Sequence, residues 1–95
     1  MKVVATLLIT KKYFSKDEID QTVKDIETYI YHVEKLIILN LTKESIDPIL
    51  SRLYKYNNVE EIKGKDLGQV YNYHKALTLC CKEEADFGVI MELGY

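Results

Sequence analysis

Tryptophan is missing from this sequence, proline occurs once and cysteine twice. The cysteines, Cys80 and Cys81, are neighbours. Adjacent cysteines rarely bridge each other, and two are too few for a disulfide framework. Free thiols fit a reducing, cytoplasmic compartment. No stretch is apolar for long enough to span a bilayer. The opening run ahead of Tyr13 faintly resembles a leader. Its apolar part is short, however, and Lys11 and Lys12 follow where a cleavage site would lie, so it reads as a strand. A net charge of −2 over 95 residues leaves no electrostatic case for nucleic acid or an anionic membrane.

Familiar catalytic signatures are missing too. Gly64 and Gly68 lack the spacing of a P-loop, and there is no GxGxxG. Ser15, Ser45 and Ser51 sit at helix starts or inside helices, with no GxSxG elbow. His32 and His74 lack metal-ligand spacing with each other or with Cys80 and Cys81. His74, on a helix face with tyrosines, reads as a packed or half-exposed histidine. No CxxC supports redox chemistry.

What is present is a modest core's worth of aliphatic residues: 47% of the chain is hydrophobic and 29% charged. That suits one domain over residues 1–95. A chain of this size hides roughly 60–70% of its unfolded surface on folding. Val3–Thr10 and Leu36–Leu39 are almost continuously apolar, the signature of strands covered on both faces. Val59–Ile62 is poorer in apolar residues, as an edge strand is. Asp86–Met91 supplies a fourth strand.

Helices fall between the strands. Ser15 and Glu18 form a capping box. Ile19, Val23, Ile26 and Ile30 follow at spacings of 4, 3 and 4, one apolar stripe, ending near Tyr31. Pro48 suits the first turn of a second helix, capped by Ser45 or Asp47, with Ile46, Ile49, Leu50 and Leu53 inward. A third helix from about Leu67 places Val70, Tyr73, His74, Leu77 and one of the cysteines on its inner side. The order βαβαβαβ, with short connections, predicts an α/β fold: three layers around a four-stranded parallel sheet with right-handed crossovers.

In such a sheet, ligands gather beyond the carboxyl ends of the strands. The loops there hold Thr10, Lys11, Lys12, Asn40, Thr42, Lys63, Lys65, Asp66 and Glu92. The lysines among them suit a diphosphate. Asn40-Leu41-Thr42 also matches a glycosylation acceptor, but without a secretory leader it reads as an ordinary loop.

The segments VVATLLIT, KLIILNLT, VEEIKGKDLGQVYNYHKAL and ADFGVIMELG, in that order and spacing, resemble the amino-terminal half of a family 2 glycosyltransferase. The branch is the rhamnosyltransferase-like one, with the GT-A nucleotide-diphospho-sugar fold. By this resemblance the strand order is 3-2-1-4. Thr10 matches the threonine of the first loop, with Lys11 and Lys12 in place of Tyr-Asn. Asn40 stands where the family's aspartate contacts base or ribose, Leu41 replaces the next Asn, and Thr42 takes the hydroxyl position. Asp66-Leu67-Gly68 matches Asn-Leu-Gly, and Asn72 the helix asparagine.

The resemblance implies a UDP- or dTDP-sugar held by Thr10, Lys12, Asn40, Thr42, Lys65, Asp66 and Gly68. Glu92-Leu93-Gly94 lies at the Asp-x-Asp position, so Glu92 is the one carboxylate left there for Mg²⁺ or Mn²⁺. The family's acceptor half and general base lie further along than these residues. The expectation is a truncated or degenerate binding half, with no catalytic residue of its own.

The alternative is a non-enzymatic interaction module. A fourth strand at an unpaired edge invites partners, and Asp86–Met91 or the adjacent helix is then the contact of a homodimer. An unrelated response-regulator-like module fits poorly, because the first strand ends in Thr10-Lys11-Lys12 rather than an acidic cluster.

Overall fold

The computed structural model describes residues 1–93; Gly94, the last residue of the Asp-x-Asp position, lies outside them. The elements are β1 (Val3–Ile9), α1 (Lys16–Tyr29), a 3-10 turn (Ile30–His32), β2 (Lys35–Asn40), α2 (Asp47–Leu50), β3 (Val59–Lys63), α3 (Gln69–Lys82) and β4 (Phe87–Leu93). All three strand pairings are parallel, in the order β3-β2-β1-β4, the expected fold.

The central strands follow from their composition. β1 and β2 are buried almost throughout, so both faces must be apolar and covered. Ala5, Leu7 and Ile9, with Leu36 and Ile38, meet Val23, Ile26 and Ile30 on the α1 side. Ile46, Ile49 and Leu53 close the same core from the α2 segment. Val4, Leu8, Ile37 and Leu39 face the other way, towards Ala76 and Cys80 of α3. The sheet is therefore the middle of three layers.

Helix α1 begins where the sequence predicts. Ser15 Oγ accepts from Glu18 N–H at 3.2 Å, and Glu18 returns the bond to Ser15 N–H at 3.0 Å. A capping interaction of this kind is worth about 1 kcal/mol. The α2 segment is a single helical turn followed by further turns. Ser45 Oγ accepts from Asp47 N–H at 3.2 Å, and Ile46, not a polar residue, occupies the cap itself.

Helix α3 departs in part from expectation: Cys80 and Tyr73 face the core as predicted, but Val70, His74 and Leu77 do not. Its buried residues are Asn72, Ala76 and Cys80, while Val70 is 80% exposed and Leu77 51%. His74 and Cys81 are exposed as well. The reason is close approach. A Cβ at Gly88 of β4 would stand 3.1 Å from Cys80 Sγ, and Thr6 Oγ1 lies 3.5 Å from the same sulfur. Small side chains fill the closest approach of helix and sheet, Tyr73 and Leu79 pack part-buried beside them, and Val70 and Leu77 turn outward.

Among the described residues both sheet edges are open, and they differ. β3 carries Glu60, Glu61 and Lys63. β4 is apolar apart from Glu92, and Phe87 and Val89 are 57% and 42% exposed.

Candidate functional site

The carboxyl ends of β1, β2 and β3 surround a hollow of about 360 Å³ lined by Thr10, Lys12, Leu41, Thr42, Lys43, Lys65 and Asp66. Thr10, Lys12, Thr42, Lys65 and Asp66, singled out in the sequence, thus come together at one place. Lys43 joins them and was missed, because its position in the chain gives no sign of the turn that brings it there.

That turn is built on Asn40. Its Oδ1 accepts from Thr42 N–H at 3.0 Å and from Thr42 Oγ1 at 2.7 Å. Its Nδ2 donates to Glu44 O at 2.7 Å and to Glu61 Oε2 at 3.1 Å. Thr42 Oγ1 in turn accepts from Glu44 N–H at 3.0 Å. The amide has used both donors and both acceptor sites, and at 2% exposure it is closed to a ligand and to glycosylation. Asn40 and Thr42 shape the hollow's wall rather than reach into it. The knot holds Lys43 at φ 65°, a left-handed conformation that costs a non-glycine residue about 1–2 kcal/mol.

The third loop is tied by Asp66. Its Oδ1 accepts from Asn72 Nδ2 at 2.8 Å and Gly68 N–H at 3.1 Å, and Asn72 Oδ1 accepts from Leu67 N–H at 3.1 Å. The bond from Asn72, then that from Gly68, lowers the Asp66 carboxyl below the ordinary carboxylate value. Gly68 caps α3 at φ 99°, a conformation open to glycine. Its conformation and its N–H serve the loop, and it is not among the residues lining the hollow.

The charge balance of the hollow is basic. Lys11 is paired with Glu18, whereas Lys12, Lys43 and Lys65 have no ion pair among the described residues. Asp66 is the one acid in the lining. Thr10 Oγ1 is buried and has no hydrogen-bond partner among the described residues. Buried polar atoms nearly always have one, so this hydroxyl is an unsatisfied group in the wall of the hollow. The combination fits a small, multiply charged oxyanion.

Glu92 stands apart from this lining. It pairs in register with Leu8, and its Oε2 accepts from Tyr73 Oη at 2.8 Å. Among the described residues no group of three His, Cys, Asp or Glu side chains comes together to hold a metal ion.

A larger hollow, about 680 Å³, opens at the opposite, amino-terminal rim beside Val3, Tyr31 and Tyr56. Two of its polar side chains are engaged in structure. Asn58 Nδ2 donates to Ile30 O and Val33 O, each at 3.2 Å, and Tyr56 Oη donates to Glu27 at 2.6 Å. It gathers no comparable set of unpaired charges, and it lies at the end of the sheet away from the ligand side.

No protein-family model, no curated protein and no solved structure matches this chain.

Proposed function

We propose that the chain is a glycosyltransferase-like binding domain whose hollow at the tips of β1–β3 takes the diphosphate of a UDP- or dTDP-sugar. The supporting observation is the convergence of Lys12, Lys43 and Lys65 with the unpartnered Thr10 hydroxyl around one hollow. Lysine ammonium groups bind phosphate as point charges.

Binding, not transfer, is the proposed role. Asp66 is held ionised by Asn72 and Gly68, which makes it a poor proton acceptor. A Mg²⁺ or Mn²⁺ would arrive with the diphosphate, held mainly by phosphate oxygens and water. Glu92 alone, already bonded to Tyr73, does not fit a resident ion. Free Cys80 and Cys81 suit a cytoplasmic setting.

Titration with UDP- and dTDP-sugars, with and without Mg²⁺ or Mn²⁺, tests this. The expected result is salt-sensitive binding with amide shifts at Thr10, Lys12, Lys43 and Lys65. No shift and no heat at millimolar ligand would overturn it.

A further inference from the structure

The free edge of β4 is complementary to itself. Phe87 N–H donates to Lys2 O at 3.1 Å, and Leu93 O accepts from Thr10 N–H at 3.1 Å. The odd-numbered residues of β4 therefore direct their backbone groups at β1. Alternation along the strand turns the N–H and C=O of Gly88, Ile90 and Glu92 away from the sheet. The strand Phe87–Leu93 has no proline and no lysine to guard this row.

Apolar side chains flank it on both faces. Phe87 and Val89 are exposed beside the part-covered Met91 and Leu93 on the α1 side. On the α3 side, Leu77 is exposed. It follows by one turn Tyr73, whose hydroxyl reaches Glu92, so it lies on the same side of the helix.

We propose that a second copy of this chain occupies the edge, with the two β4 strands antiparallel about a two-fold axis at Ile90. Donors, charge and side-chain parity all select that register. With Ile90 opposite the partner's Ile90, Gly88 falls opposite the partner's Glu92, and each outward residue meets another outward residue. Such pairs exchange both backbone bonds. The same register sets Val89 beside the partner's Met91 and Phe87 beside the partner's Leu93, so one apolar row crosses the junction.

Sliding two residues one way puts Asp86 opposite the partner's Glu92, carboxylate against carboxylate, which is destabilising. Sliding the other way leaves fewer pairs within the strand. The contact is isologous, as a two-fold dimer requires. It is also independent of whatever the hollow binds, because no β4 residue lines the hollow.

Sedimentation from micromolar to millimolar protein, combined with residue-resolved amide exchange, tests the proposal. The expected result is a reversible dimer in which the Gly88, Ile90 and Glu92 amides gain protection as concentration rises. Val89→Lys, at a position already part-exposed in the single chain, should raise the dimer dissociation constant about tenfold or more with an unchanged circular dichroism spectrum. A monomer at millimolar concentration, whose edge must then belong to another partner, overturns the proposal. So does a dimer that leaves those amides unprotected, or one that Val89→Lys does not weaken. Exchange on the unsubstituted protein decides even if the variant fails to fold.

Discussion

Asn40 Oδ1 accepts two hydrogen bonds from Thr42, one from its backbone N–H and one from its hydroxyl, at 3.0 and 2.7 Å. The remaining donors of the amide are spent on Glu44 O and the Glu61 carboxylate. An aspartate here, the residue of the resembled family, would place a buried carboxylate against Glu61. Asn40→Asp should therefore cost about 2–4 kcal/mol at neutral pH. Adding Glu61→Gln should recover a substantial part. Urea unfolding of the two variants checks this; equal stability of Asn40→Asp and the parent would refute the assigned role.

Lys43 links stability and binding with opposite signs. Lys43→Gly relieves the left-handed backbone and should raise stability by about 0.5 kcal/mol, net of glycine's entropy. It should also weaken diphosphate binding about tenfold, the loss of one charged hydrogen bond. Thermal unfolding and calorimetry on the same sample read the two effects.

Asp66 opposes an anionic ligand, so acid should help the proposed binding while harming the loop. Its carboxyl is lowered in the folded state. The stability it contributes is present above the unfolded value, about 3.9, and is lost as pH falls through the lower folded one. Asp66→Asn should tighten diphosphate binding and flatten the acid limb of the stability curve. A variant with unchanged affinity would remove Asp66 from the site.

Burial, and secondarily Asp25, pushes the Tyr29 hydroxyl from 10.0 up to about 12. Its bond to Glu27 raises Tyr56 as well. Raised values mean that stability is fully present below the unfolded value near 10 and falls as pH climbs through the folded one. An ultraviolet titration should show a late-ionising fraction that Tyr29→Phe diminishes. A single common transition would contradict this.

Gly88→Ala tests the close seat of α3. The new Cβ would meet Cys80 Sγ and Cβ at 3.1 and 3.2 Å, and overpacking of this kind costs about 1–3 kcal/mol. Cys80→Ala in the same chain should relieve much of it. A double-mutant cycle with no coupling would show that the helix shifts freely instead.

The sheet was legible in the sequence, because the continuous apolar runs of β1 and β2 and the charged β3 admit few arrangements. The capping box of α1 was legible for the same kind of reason: its bonds are local. The inner face of α3 was legible only in part. Val70 and Leu77 are the larger hydrophobes, yet Ala76 and Cys80 face the sheet, since contact with Gly88 and Thr6 sets a distance that sequence periodicity does not encode. Small residues at 76, 80 and 88 were the available signal. Of the site, the loop positions of Thr10, Lys12, Lys65 and Asp66 were readable. The inward turn of Asn40 was not, because its partners Glu44 and Glu61 come from a loop and a neighbouring strand.

The inequality of the sheet's two rims bears on how far association can run. Once β4 is joined, the remaining rim at β3 carries Glu60, Glu61 and Lys63, charged side chains of the kind that guard an edge against strand addition. Each particle then has no second sticky side, so lengthening into filaments through strand addition has nowhere to start. Concentrated solutions should plateau at one small, closed size.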